Sequence, residues 1–123
     1  MLPSVHGRGG IASLELRLPV MWIEARRRGF DIADVIRWTA TAPAALVGLA
    51  TGSIAAGRRA DLAVWDTAAE RVVDPDALYQ RHPVTPYAGR SLWGVVRNTF
   101  VRGRMVYDDG KVRTGAGRLL ERK

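Results

Sequence analysis

A chain of 123 residues is the length of one ordinary domain, and its 47% apolar composition excludes a mostly disordered segment. It contains no cysteine, which rules out disulfides, thiolate catalysis and cysteine-held zinc. Net charge is +7, carried almost wholly by arginines, with Lys111 and Lys123 as the lysines. The arginines are spread along the chain. Their one dense run, Arg26-Arg27-Arg28, falls at a predicted helix C-terminus, where cations complement the helix dipole. That distribution points away from nucleic acid as a partner. No apolar run approaches the ~18–20 residues of a membrane span, and MLPSVHGRGG lacks the apolar core of a signal peptide. No membrane partner and a cytoplasmic location are therefore expected.

In chain order, residues 1–10 read as irregular. Ile11, Leu14 and Leu18 recur at helical steps and predict a helix over 11–18. Pro19 suits a first helical turn, so a second helix is predicted over 19–28, closed by Gly29 as a left-handed cap. Asp31 is placed to cap a third helix whose core stripe is Ile32, Val35, Ile36 and Thr39. Pro43 is expected to end that helix and to open a short one over 43–47, stopped by Gly48. The texture changes at Thr51. Ala60–Trp65 reads as a strand apolar on both faces and hence covered on both. Arg71–Val73 is a possible further strand, and Asp74-Pro75-Asp76 a turn that opens one helical turn over 77–81. HPVTPYAGR is an ordered loop. Val95–Val101 and Arg104–Tyr107 then form a hairpin through Arg102-Gly103, and Asp109-Gly110 marks a second tight turn. The class is α+β, helices first and strands after. A complete parallel barrel would need about 250 residues.

The residues available for chemistry are few. His6 and His82 are the histidines, and neither sits in a metal-ligand spacing such as HxH or HExxH. A mononuclear zinc site takes three protein ligands. No GxSxG marks a nucleophile, and no GxxxxGK[ST] follows Gly7, Gly9 and Gly10. Those glycines leave room for backbone amides to approach a ligand closely. Asp61, at the mouth of the predicted strand after a glycine turn, is read as bonding backbone amides and not as a catalytic acid. No catalytic residue and no metal ligand is assigned.

Four stretches together resemble one family. GSIAAGRRADLAVWD fits G-x-I-x-x-G-x-x-A-D-L-x-V-W-D at Gly52, Ile54, Gly57, Ala60, Asp61, Leu62, Val64, Trp65 and Asp66. TATAPAALVGL, RHPVTPYAGRSLWGVVRNTFVRGRMVYDDGKV and GGIASLELRLPVMWIEARRRG flank it in matching order. The set resembles the C-terminal part of the cyclic-amide hydrolases of the amidohydrolase superfamily: allantoinases, dihydroorotases and hydantoinases (dihydropyrimidinases). The GGIASLELRLPVMWIEARRRG block and the HPVTPY loop are most similar to allantoinases. The resemblance runs from about Gly9 to Lys111.

It implies an incomplete amidohydrolase fold, the last helices of a metal-dependent (β/α)8 barrel in residues 1–50 followed by strands of a small β-sandwich in residues 51–123. It makes Asp61 a scaffold residue. It implies that the whole enzyme opens the ring of a cyclic ureide, allantoin to allantoate, on two zinc ions that activate water. The family's metal ligands map onto no residue here, so none is expected to be bound by this chain alone, which is then expected to be inactive. The one position implied to touch substrate is the backbone of Gly9, Gly10 and Ile11. A homo-oligomer is expected of the whole enzyme, and open sheet edges of the partial sandwich. The alternatives are a hydantoinase or dihydroorotase piece, or a non-catalytic structural or oligomerisation module.

Overall fold

The computed structural model describes residues 11–113 and 117–118. Its elements are helix α1 (Arg17–Arg27), helix α2 (Ile32–Ile36), a π-helical turn (Arg37–Thr41), helix α3 (Ala42–Leu46), strand β1 (Leu62–Val72), a 3-10 turn (Pro75–Ala77), and strands β2 (Ser91–Val101), β3 (Arg104–Asp108) and β4 (Lys111–Val112). The strands form one antiparallel sheet in the order β1-β2-β3-β4. The α+β class with helices before strands is what the sequence predicts.

The two helices predicted before Gly29 are corrected to one. Residues 11–13 stay non-helical and 14–16 only turn. The residue that anchors this stretch is Leu16, which is buried, whereas Ile11 and Leu14 are exposed. α1 runs through Pro19 because that residue lies in its first turn, where an amide has no helical acceptor to lose. Its end follows from Gly29 at φ +81°. The Gly29 amide donates to the Arg26 carbonyl and the Phe30 amide to that of Ala25, 3.1 and 2.9 Å, so the last carbonyls are satisfied by a reversal that only glycine adopts freely.

Asp31 caps α2 as expected. Its carboxylate accepts the Asp34 amide while the Asp34 carboxylate accepts the Asp31 amide, a reciprocal capping box. Of the predicted stripe, Val35 is fully buried and Ile36 is exposed. Pro43 does not break the helix. The turn before it widens to π geometry, the Ala42 amide reaching back to the Arg37 carbonyl. The Thr39 hydroxyl donates to the Val35 carbonyl one turn back, at 2.8 Å.

β1 is longer than predicted and absorbs most of the separate strand expected at 71–73. It is also not covered on both faces. It lies at the sheet edge, with Ala63 and Val64 exposed. Asp66 pairs with Val95 and Glu70 with Trp93, so β1 carries extra residues there and bulges. Both tight turns fall where expected, with positive φ at Arg102-Gly103 and at Asp109-Gly110. The core joins α1 to the sheet: buried Leu16, Val73 and Leu92 pack with Val20, Ile23, Leu78 and Tyr87.

Candidate functional site

Gly9 and Gly10, the expected ligand-facing backbone, lie outside the described residues, as does His6. Ile11 opens the described chain, 65% exposed. The residues after Ile11 are anchored tightly. The Ser13 hydroxyl donates to the Ile11 carbonyl at 3.4 Å and the Leu16 amide to the Ser13 carbonyl at 2.9 Å. Leu16 then enters the core. The neighbouring Glu15 carboxylate accepts the Tyr79 amide at 2.8 Å. Glu15 and Leu16 thus tie the approach to α1 to the 73–79 segment and to the sheet.

Asp61 is where its charge is structural. Its carboxylate accepts the Arg102 amide at 2.8 Å and pairs with the Arg59 guanidinium. The Arg102 amide, more than the Arg59 side chain, holds the Asp61 carboxyl below its usual range. The tip of the β2–β3 hairpin is thereby fixed to the start of β1. Asp66 works at the bulge. One of its oxygens accepts the amides of Ala68 and Ala69, both at 3.1 Å, and the other meets Arg97 at 3.3 Å. Arg97, and then the Ala68 amide, lower its pKa, and Arg97 itself bridges to Asp109 at the next turn.

Three other acids are held by arginines in the same way. Glu24 is lowered to about 2 by Arg27 and Arg28 one turn on. Asp34 pairs with Arg37 and Asp108 with Arg113. His82 sits in an exposed loop. Among the described residues no three of His, Asp, Glu or Cys come together as a metal site, and carboxylates spent on guanidinium groups do not suit one. Among the described residues the Ser91 hydroxyl donates to the Glu70 carboxylate across the β1–β2 pair, with both residues exposed. No helix among the described residues is long and apolar enough to cross a membrane.

The structure adds two features that the sequence did not disclose. One is an aromatic joint. The Trp22 indole donates to the Thr67 carbonyl in the bulge at 3.0 Å and meets Trp65 edge-on at 5.8 Å. The Arg26 guanidinium lies 5.6 Å from the Trp22 ring and 5.5 Å from that of Trp93. Gly94 makes this possible. A Cβ there would sit 2.7 Å from Trp65 Nε1 and 3.1 Å from Trp22. The other is an open groove of about 1130 Å³ along the sheet, walled by the approach to α1 and by the 72–80 segment, with Leu14, Val72, Tyr79 and Val112 exposed in it. Periodicity could not reveal either, because both depend on which strand residue faces which helix residue.

The family model described as "Amidohydrolase family" matches residues 5–106. The allantoinase of Streptomyces avermitilis is 50% identical over 116 residues, 94% of this chain and 26% of that protein. The allantoinase of Arabidopsis thaliana is 41% identical over 106 residues, 84% of this chain and 21% of its own length. Among solved structures, the L-hydantoinase of Arthrobacter aurescens superposes with a TM-score of 0.78 at 27% identity, covering 86% of this chain and 24% of that one. The D-hydantoinase of Thermus sp. does so at 0.79 and 26%, covering 88% and 24%. The chain thus spans about a quarter of the length of the relatives it matches.

Proposed function

We propose, for a chain that belongs to the amidohydrolase family, that it forms the C-terminal part of an allantoinase-like hydrolase of cyclic amides. The observation that carries this reading is the 50% identity to a bacterial allantoinase sustained over 94% of the chain. A dihydroorotase at 37% and a hydantoinase at 27% fall below that value, although several other allantoinases stand at 35–37%. In finer detail, residues 1–50 are the closing helices of a barrel domain and residues 51–123 belong to a small sandwich. The complete enzyme takes a cyclic ureide, is a homo-oligomer in the cytoplasm, and needs neither nucleic acid nor membrane.

Members of this family work with metal ions, and two zinc ions are the expected group. The donors described here do not fit such a group: no three gather, and Asp61, Asp66 and Asp108 are each held by arginine. We therefore assign this chain no step of ring opening. Its contribution is to position: it holds the backbone of Gly9, Gly10 and Ile11 against the ring and packs a sheet behind the helices. The 123-residue chain by itself, supplied with zinc, is expected to leave allantoin intact.

The test is an exchange. The matching quarter of the Streptomyces avermitilis allantoinase is replaced by this chain, and ring opening is measured for allantoin, hydantoin and dihydroorotate. Turnover of allantoin in preference to the other two supports the reading. A folded hybrid that prefers dihydroorotate, or opens none of the three, overturns it.

A further inference from the structure

We infer that Asp66 guards the outer edge of the sheet against a second copy of this chain: its carboxylate, with the Trp22 indole, takes up backbone groups in the middle of β1 that an added strand would need. β1 is 11 residues long and, among the described residues, has β2 on one side and no strand on the other. Val64 and Val72 are exposed along it, at 49% and 62%. A long edge strand flanked by apolar side chains is a template for another strand, and β1 of a second copy is the matching strand present at equal concentration.

The middle of β1 is where that template is interrupted. Asp66 pairs with Val95 and Glu70 with Trp93, so Thr67, Ala68 and Ala69 all stand opposite Gly94. The surplus bends the strand and takes this backbone out of the ladder. Each displaced group is then used locally. One Asp66 oxygen accepts the amides of both Ala68 and Ala69 at 3.1 Å. The Thr67 carbonyl accepts the Trp22 indole at 3.0 Å and so faces α1. The other Asp66 oxygen meets Arg97 of β2 at 3.3 Å, which fixes the carboxylate in place. The regular stretches left on either side, Leu62–Trp65 and Glu70–Val72, are each shorter than an ordinary strand of about 5–6 residues. A strand laid along this edge would find no partners at its centre, so any assembly of copies uses another surface.

The experiment follows hydrogen exchange and sedimentation of the 123-residue chain. In the parent, exchange at the β1 amides should not change over roughly a hundredfold range of concentration. In Asp66→Ala, the Ala68 and Ala69 amides should exchange about tenfold faster in dilute solution. As concentration rises, that variant should associate beyond the parent and regain protection along β1. Asp66→Asn, whose side-chain oxygen still accepts both amides, should sediment as the parent does. Ala68→Lys added to Asp66→Ala sets a charge in the middle of the edge and should return the sedimentation of the parent. An Asp66→Ala chain that keeps the parent's circular dichroism and associates no further than the parent overturns the guarding role. So does a parent whose β1 amides gain protection with concentration, a result that depends on no variant folding.

Discussion

Two parts of this molecule treat their apolar residues in opposite ways. α1 and the sheet close on each other: Leu16, Val73 and Leu92 are buried between them, and the Trp22 indole reaches across to the Thr67 carbonyl. The run from Phe30 to Ala60 buries Val35 and Ala44 but leaves Ile36, Leu46, Val47, Leu49 and Ile54 exposed, Leu46 and Ile54 almost completely. Its helices nevertheless have well-formed ends. α3 stops with the Gly48 amide on the Ala45 carbonyl and the Leu49 amide on that of Ala44. Local capping makes a helix; it does not supply a partner for its apolar face. The first region is a self-contained joint, and the second leaves an apolar face open on the surface of the described residues.

If that contrast is right, substitutions in the joint should be costly and those on the exposed helical face should not. The largest effect is expected at Gly94, which has φ +94° and no room for a Cβ between Trp65 and Trp22. Gly94→Ala should destabilise the chain by about 3 kcal/mol in urea unfolding, since both the backbone and the aromatic packing must yield. Trp22→Phe keeps a ring but loses the bond to Thr67, and should cost about 1.5 kcal/mol by the same measurement. Asp61→Ala strips the Arg102 amide of its acceptor at an exposed hairpin tip, for about 1 kcal/mol.

A smaller effect is expected on the acid side. Glu24 has its pKa lowered from 4.5 to about 2 by Arg27 and Arg28. A carboxyl whose folded pKa is depressed contributes stability above its unfolded pKa, and that contribution is lost as pH falls through the folded one. The melting temperature should therefore decline between pH 4.5 and about 2, and Glu24→Gln should flatten that limb. The smallest effect sharpens the contrast from the other side. Leu46→Glu and Ile54→Glu should each move the chain's own unfolding free energy by no more than about 0.5 kcal/mol. A large loss there would mean that the second region is as closed as the first.

The parts legible in the sequence were those governed by a few neighbouring residues. Asp31 announced a cap, Gly29 and Gly48 two helix ends, and Asp109-Gly110 a tight turn. Arg102-Gly103 was readable from its position between two apolar runs, even though Arg102 must itself take a positive φ. The readings that failed needed a partner. Leu16 fell outside the stripe of Ile11, Leu14 and Leu18, yet it is the residue that packs with Val73 and Leu92. The double apolar character of Ala60–Trp65 suggested a strand covered on both faces, whereas Ala63 and Val64, on opposite faces of β1, are both exposed. β2 was predicted to begin at Val95, whereas it begins at Ser91, and Gly94 is an interior residue whose missing side chain admits two indoles. Pro43 was read as a stop because nothing in its vicinity signals the widened turn that lets the helix pass. On the site, the structural role of Asp61 was foreseen from its place after a glycine turn, and the Glu15–Tyr79 contact was not, since 64 residues separate its halves.

The joint between α1 and the bulge also carries its own spectroscopic signature. Trp22 gives its indole proton to a backbone carbonyl, while the indole nitrogen of neighbouring Trp65 is buried with no partner among the described residues. Two rings 5.8 Å apart thus hold the same proton in opposite circumstances, one hydrogen-bonded and one not. In a nitrogen-labelled sample their side-chain resonances should separate well, with the Trp22 proton the more downfield of the pair. That pair reads the seating of helix on sheet directly, and any substitution that loosens the seat will draw the two signals together before the chain unfolds.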